Sequence, residues 1–199
     1  MRVLHVINSL AGSGGAEQGL VREITHFDPS VVSLVVRLFE NDDLEARLTS
    51  RGIDVVWLGL RSSASAWSWP EAARRVRRLI RSFRPDIVHT SLFTGNLVGQ
   101  LAAMGTGVPV LSTLTLTGDE RLHRELQPGA DTRRAAVLRH IAARIGRQSH
   151  IRYRAISEDA AETNCKSMGI DRARVTVITR GVPMVSVEPD RSRFGIPET

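Results

Sequence analysis

The sequence is poor in cysteine and lysine and has no long apolar run. Cys165 is the only cysteine among 199 residues, which excludes an internal disulfide and a zinc site built from several cysteines. No stretch approaches the roughly 18 apolar residues of a membrane-spanning helix. The first apolar run is only about five residues long and contains His5, so it favours a strand over a signal peptide. We therefore expect a cytoplasmic protein.

The positive charge is carried almost wholly by arginine, because Lys166 is the only lysine. There are 27 basic and 21 acidic residues, a net charge of +6 that suits anionic partners such as phosphorylated substrates or acidic lipid. Nucleic acid is disfavoured because no helix-turn-helix or aromatic-basic motif accompanies the charge. The sequence has no Asp-x-Asp and no cluster of ligand-type residues at metal spacing, so it predicts no metal site.

Residues 1–17 join a buried strand to a glycine turn and a helix start. Apolar residues 3–7 predict a strand buried on both faces, and Gly12, Gly14 and Gly15 predict a tight turn or close approach. A helix begins near Gly15 with Glu17 in its first turn. Its N-terminus offers free N–H groups and about half a positive charge. Two interpretations stay open: a phosphate or diphosphate seat, or an ordinary strand-to-helix turn.

The rest of the chain alternates strands and helices, which predicts an α/β fold with a doubly wound, mostly parallel sheet and helices on both faces. Predicted strands lie at 31–39, 53–60, 87–89, 108–111, 153–156 and 175–178, and predicted helices at 71–83, 96–104 and 135–145. We expect one domain over residues 1–183. Residues 184–199 are rich in proline and charge and predict a linker or tail.

Polar residues follow two of the predicted strands. Thr90 and Ser91 follow the strand that ends at His89, and Ser112, Thr113 and Thr115 follow the next one. Ligands of doubly wound sheets bind beyond the carboxyl ends of the strands. His89 is therefore predicted at the edge where chemistry would occur, although a hydrogen-bonded structural histidine is equally consistent with the pattern.

Two further features allow both a functional and a structural interpretation. Trp67 and Trp69 lie in a serine-rich loop and could hold a ligand, enter a membrane interface or pack over the next helix. The helix predicted at 71–83 carries arginines opposite an apolar stripe. That basic face is typical of a solvated surface, and the alternative is a weak contact with anionic lipid at the inner membrane surface.

Five motifs taken together resemble the N-terminal half of a family 4 glycosyltransferase of the GT-B fold. They are GSGGAE, RPDIVHT, GVPVLST, RAISE and VTVITRGVP, in the expected order over essentially the whole chain. The resemblance implies two Rossmann-like domains facing each other across a cleft. The N-terminal domain holds the acceptor, and the C-terminal one binds most of the nucleotide-sugar donor.

The resemblance also implies site residues. Gly14 and Gly15 match the pair whose backbone approaches the donor diphosphate, and Glu17 matches the acidic residue after them. His89 matches a strand-end histidine that is implied to be catalytic. The remaining positions implied to line the acceptor side or the cleft are Ser91, Thr113, Ser157, Glu158 and Arg180.

This chain departs from the family pattern at three positions. Ser91 stands where a second histidine is common, and Thr115, implied to be at the catalytic position, stands where a further histidine is expected. Arg180 replaces the asparagine of an Asn-Gly-Val-Asp motif. Threonine cannot titrate near pH 7. A retaining enzyme that uses the donor's own phosphate oxygen as base does not need that histidine, because the protein then mainly positions groups and stabilises charge.

The resemblance implies a metal-independent transfer of a sugar from a UDP-, GDP- or similar donor to an acceptor hydroxyl, without a cofactor. The Glu-x7-Glu type motif of the second domain is absent from the 199 residues, so we expect little activity from this chain without a C-terminal domain or partner chain. One alternative is a non-catalytic or two-chain assembly module. The other is an NAD(P)-dependent oxidoreductase, although Glu17 stands where the dinucleotide fingerprint needs its third glycine.

Overall fold

The computed structural model describes residues 1–60, 68–115, 140–141, 143–148 and 150–181. Its strands are β1 (Arg2–Ile7), β2 (Val32–Arg37), β3 (Asp54–Trp57), β4 (Ile87–Ser91), β5 (Val110–Leu114), β6 (Ile151–Ala155) and β7 (Val175–Val177). Its helices are α1 (Gly15–Thr25), α2 (Glu45–Thr49), α3 (Trp69–Phe83), α4 (Phe93–Ala103) and α5 (Glu158–Met168), with a 3-10 turn at Arg172–Arg174. Residues 140–141 and 143–146 are also helical.

The seven strands are parallel throughout and follow the order β3-β2-β1-β4-β5-β6-β7. Strands β2 and β3 are added on one side of β1. The chain then crosses back to place β4 on the other side of β1, and β5, β6 and β7 follow on that side. This reversal places a topological switch point between β1 and β4. Crevices at such points, beyond the carboxyl ends of the strands, are the usual ligand sites of these folds.

Two apolar cores, one on each face of the sheet, hold the helices. Leu4 and Val6 of β1 pack in a cluster with residues of α3, α4 and α5. Ile7 and Val35 pack on the other side with residues of α1 and α2. The alternation of β1 side chains between two covered faces explains its continuous apolar sequence. The doubly wound α/β prediction is confirmed.

Helix α3 is joined to α4 by an arginine that the sequence placed on a solvated face. Arg77 donates to the carbonyls of Leu101, Ala102 and Met104 at 3.0, 2.9 and 2.8 Å. These carbonyls end α4, where a cation is favoured by the helix dipole. Arg77 is therefore a structural contact between helices, and the basic face of α3 is narrower than predicted.

Strands β4 and β5 extend further than the sequence indicated. The predicted ends at His89 and Leu111 were wrong, because β4 continues to Ser91 and β5 to Leu114. Thr90 and Ser112 are fully buried and share a hydrogen bond of 2.7 Å across the two strands. Polar residues that hydrogen-bond to each other inside a sheet look, in the sequence, like polar residues that follow a strand. The true ends of β4 and β5 could therefore not be located from the sequence.

Some predictions fall wholly or partly outside the described residues: Trp67, residues 184–199 and most of the helix predicted at 135–145. Trp69 is described and begins α3. Its ring meets the ring of Phe93 edge-on, with centroids 6.5 Å apart. Of the three interpretations of this tryptophan, packing over a neighbouring helix is the one observed.

Candidate functional site at the switch point

The turn between β1 and α1 is held to the segment before α2. Leu10 exchanges backbone hydrogen bonds with Asn41 and Leu44 at 2.9 Å each, and the Gly12 amide donates to Asp43 at 2.8 Å. Beside it, Asn8 follows β1 directly and accepts from the Gly95 amide in α4 at 2.8 Å. The turn is thus fixed on both sides of the switch point.

Gly14 leaves room for a carboxylate of the chain itself. Gly14 is the N-cap of α1 with extended φ of −85°, so its conformation does not require glycine. A Cβ added there would lie 2.0 Å from Oε2 of Glu17, which turns back over the helix start. Glu17 is only 8% exposed and accepts from the Ser9 hydroxyl at 3.3 Å. An acidic group at a helix N-terminus is stabilised by the dipole.

Gly15 differs from Gly14 because no atom of the described residues occupies the space where its side chain would be. As the first residue of α1 it has helical geometry, and a Cβ added there would meet nothing within 4 Å. Glycine costs about 0.5–1 kcal/mol relative to alanine in a helix interior. The open position therefore lies where a ligand can approach the helix backbone closely.

His89 of β4 lies in a buried chain of hydrogen bonds. Its Nδ1 is 3.1 Å from Nδ1 of His5, and its Nε2 is 2.7 Å from Oγ1 of Thr113. Nε2 of His5 is 3.3 Å from the hydroxyl of Ser33. A neutral imidazole has one donor and one acceptor nitrogen, so the donors of this chain must all point the same way. Four strands are thereby connected by side chains.

Burial keeps both histidines neutral at pH 7. It lowers the pKa of His89 to about 4, with the Glu23 carboxylate opposing and Arg154 and Arg180 adding to the effect. Burial, with His89 beside it, also holds the pKa of His5 well below its ordinary value. Because β4 continues to Ser91, His89 lies inside the sheet, 8% exposed, and not at its open edge as the sequence predicted.

Ser91 and Thr113 are also within the sheet, whereas Thr115 lies just beyond it. Ser91 is 1% exposed, and its hydroxyl has no hydrogen-bond partner among the described residues. Thr113 and Thr115 contribute to a cavity of about 60 Å³ beside α4, together with Leu92 and Tyr153. Thr115 therefore lines this cavity on the α4 side.

Two other predicted cleft residues have local roles. Ser157 is the N-cap of α5 and accepts from the Ala160 amide at 3.1 Å, which is the capping interaction predicted by its position. Glu158 is mostly exposed and pairs with Arg172 at 2.8 Å. Neither contact requires a ligand.

Arg180, by contrast, reaches the start of α1. Its Nη1 donates to the carbonyl of Gly15 at 3.3 Å, and its Nε lies 3.8 Å from Oε1 of Glu23. Glu23 also pairs with Arg154 of β6, whose Nη1 and Nη2 lie 2.8 and 2.7 Å from its two oxygens. Predicted residues Gly14, Gly15, Glu17 and Arg180 therefore surround one helix terminus.

Sequence reasoning missed several residues of this site. His5 and Asn8 had an available signal, because a polar residue within or directly after a buried strand must find a partner. Glu23 and Arg154 are 131 residues apart in the sequence, and their pairing had no local signal. Within the described residues, no three His, Cys, Asp or Glu side chains could hold a metal ion. Across those same ranges, no helix has the length and apolar character needed to cross a membrane.

The family follows from a match that covers most of the chain. Residues 14–181 match the sequence profile described as a glycosyl transferase 4-like domain. The chain belongs to this family. The matched span of this glycosyl transferase 4-like chain begins at Gly14 and ends at Gly181, so it includes the contacts between α1 and Arg180. A comparison with the curated proteins finds no significant match.

Solved structures share the fold at low sequence identity. HepE of Anabaena, solved with UDP-glucose, is 16% identical with a TM-score of 0.67 over 92% of this chain. A glycosyltransferase of Rickettsia africae is 16% identical with a TM-score of 0.66 over 99% of it. UDP-N-acetylglucosamine 2-epimerase of Rickettsia bellii, also 16% identical, has a TM-score of 0.58 over 90%. Such likeness establishes the fold, which a transferase and an epimerase have in common.

The chain spans only about half the length of these structures. It covers 44% of HepE, 50% of the Rickettsia africae protein and 45% of the epimerase. The domain described here therefore corresponds to one part of each larger neighbour.

Proposed function

We propose that this chain is the N-terminal, acceptor-binding half of a glycosyltransferase that moves a sugar from a nucleotide-sugar donor to an acceptor hydroxyl. We include in the proposal a domain over residues 1–183, a linker over 184–199, and little activity without a C-terminal donor domain or partner chain. Family membership supports the reaction class. The UDP and UDP-glucose held by HepE support a nucleotide-sugar donor.

Within the site, the open space at Gly15 is the observation that supports the proposal. Gly15 lies at the switch point, at the positive end of α1, with open space where a side chain would be. A donor diphosphate can approach the backbone there without displacing protein atoms. At Gly14 the Glu17 carboxylate already occupies the equivalent space, so Gly15 is the stronger of the two proposed diphosphate contacts.

His89 and Thr115 have different roles in the proposed reaction. With a pKa of about 4, His89 is neutral at pH 7, and its Nε2 shares a hydrogen bond with Thr113. Thr115, next to the cavity beside α4, is available to bind a hydroxyl. We propose retaining, metal-independent transfer in which the donor's own phosphate oxygen is the base. Glu17 can accept a hydrogen bond from an acceptor or sugar hydroxyl.

Equilibrium titration distinguishes the proposal from its alternatives. The chain, joined to or mixed with a donor domain, is titrated with UDP-glucose, a GDP-sugar, NAD and NADP. Saturable binding of a nucleotide sugar and transfer that neither half performs alone is the expected result. Tight binding of NAD or NADP without nucleotide-sugar binding would favour an oxidoreductase. A stable complex that binds neither would favour an assembly module.

A weak contact with anionic lipid is a second, separate proposal for the partners of this domain. Arg74 and Arg78 of α3 have side chains 73% and 70% exposed, and both lie near Glu71. The carboxylate neutralises part of the charge, so any attachment would be weak and sensitive to salt.

A further inference from the structure

The segment that leaves β7 is tied to α1 by three arginines. We define residues 178–181 as the exit loop. Arg154 donates to the carbonyl of Ile178 at 3.2 Å, and Arg22 of α1 donates to the carbonyl of Gly181 at 3.3 Å. Arg180 runs in the opposite direction, from the exit loop to the carbonyl of Gly15.

Glu23 of α1 is the shared carboxylate of this contact. It pairs with Arg154 at 2.7 Å and lies 3.8 Å from Nε of Arg180. All three side chains are largely buried, with exposures of 24% for Glu23, 13% for Arg154 and 17% for Arg180. Partly buried ion pairs are screened less by salt than exposed ones. The exit loop is therefore held against α1 by charge as well as by hydrogen bonds from arginine side chains to backbone carbonyls.

Gly19 makes the close contact between Arg180 and α1 sterically feasible. A Cβ added at Gly19 would lie 2.8 Å from both Cζ and Nε of Arg180. Glycine in the middle of a helix is unfavourable, so its presence here needs a packing reason. The guanidinium of Arg180 supplies that reason, and the two residues form a matched pair.

We propose that Arg180 is a positioning residue that fixes the first turn of α1, and with it Gly15, through the exit loop. The inference rests on the proposed function, because its purpose is to hold Gly15 where the donor diphosphate approaches. Arg180 lies directly before Gly181, whose carbonyl accepts a hydrogen bond from Arg22 of α1. Of the three arginines, Arg180 is the one whose guanidinium reaches the first turn of α1, at the carbonyl of Gly15.

The first test measures the contact itself and requires no activity. Hydrogen exchange is followed for the amides of residues 18–20, the first of α1 with helical hydrogen-bond partners, in the wild type, in Arg180→Ala and in the matched control Arg81→Gln, which removes an exposed charge from α3. We expect about tenfold faster exchange in Arg180→Ala and no change in the control. Unchanged exchange in Arg180→Ala would overturn the proposal.

The second test uses a double-mutant cycle with Gly19→Ala. In the wild-type background the added Cβ meets the guanidinium, so the melting temperature should fall. In the Arg180→Ala background that obstacle is gone, and alanine should leave the melting temperature unchanged or raise it. Equal effects of Gly19→Ala in both backgrounds would contradict the pairing of the two residues.

The third test connects positioning with the proposed reaction. In a protein that includes the donor domain, Arg180→Ala should raise KM for the nucleotide sugar about three- to tenfold and leave KM for the acceptor unchanged. Faster exchange with an unaltered donor KM would refute the positioning role. If the wild type neither binds nor uses a nucleotide sugar, the proposed function fails, while the exchange and melting results still decide whether Arg180 holds α1.

Discussion

Acid should weaken this domain through its buried histidine pair, and the effect can be isolated with one substitution. His89 has a pKa of about 4 in the folded protein and 6.5 when unperturbed. Between these values the unfolded chain binds more protons than the folded one, so stability is full above pH 6.5 and falls as the pH drops toward 4. The difference between the two pKa values corresponds to about 3 kcal/mol of unfolding free energy, which is fully lost only below the lower pKa.

Most of that loss occurs in an accessible pH range. From pH 7 to pH 4.5, linkage at His89 removes about 2 kcal/mol of unfolding free energy. For a chain of this length, that loss lowers the melting temperature by about 4–8 °C. The low pKa of His5 acts in the same direction, so the total fall should be at least this large.

Urea unfolding at several pH values, followed by circular dichroism, tests this linkage in the wild type and in His89→Gln. The variant should be less stable at pH 7 by about 1–3 kcal/mol, because Thr113 and His5 lose a buried partner. Between pH 7 and pH 4.5, the unfolding free energy of the wild type should fall by about 2 kcal/mol more than that of His89→Gln. Replacing the exposed His26 in the control variant His26→Gln should leave the wild-type profile unchanged. Parallel curves for wild type and His89→Gln would refute the reasoning.

Three further predictions concern the glycine turn and α3. Gly15→Ala should change the free energy of unfolding by no more than about 1 kcal/mol and raise KM for the donor, because the position is open. Gly14→Ala should lower the melting temperature, because the added Cβ displaces Glu17. Kinetics and calorimetry that show the reverse pattern would contradict both assignments. Arg77→Gln should cost about 2 kcal/mol in urea unfolding through three lost carbonyl contacts, against almost nothing for the exposed Arg78→Gln, and equal costs would contradict the assigned role of Arg77. Co-sedimentation with anionic vesicles should be weak and disappear at high salt, so binding that persists at high salt would exclude the electrostatic proposal.

The fold was accessible from the sequence because its signals are local and periodic. The apolar run of β1, the amphipathic pattern of α3 and the N-cap Ser157 each predicted an element that the structure contains. The ends of β4 and β5 were not accessible in this way. Thr90 and Ser112 satisfy each other across strands, and a single sequence carries no record of such a partner.

The sequence predicted those parts of the site whose residues are close together in the chain. It did not predict contacts between residues that are far apart in the chain. Glycines before a helix start indicated a ligand approach, and Glu17 was correctly placed in the first turn of α1. The sequence did not reveal that Glu17 fills the space at Gly14 while Gly15 stays open. It also did not reveal that Arg180 meets Gly19, a contact across 161 positions that only the folded sheet creates.

Sugar transfer from a labelled nucleotide sugar tests the central claim most directly. The assay compares three samples: this chain alone, a C-terminal donor domain alone, and the two joined or mixed. We predict transfer to an acceptor hydroxyl only in the third sample, with a reduced rate when the chain carries Gly15→Ala. Transfer by the donor domain alone at the full rate, or a joined protein that binds no nucleotide sugar, would contradict the account.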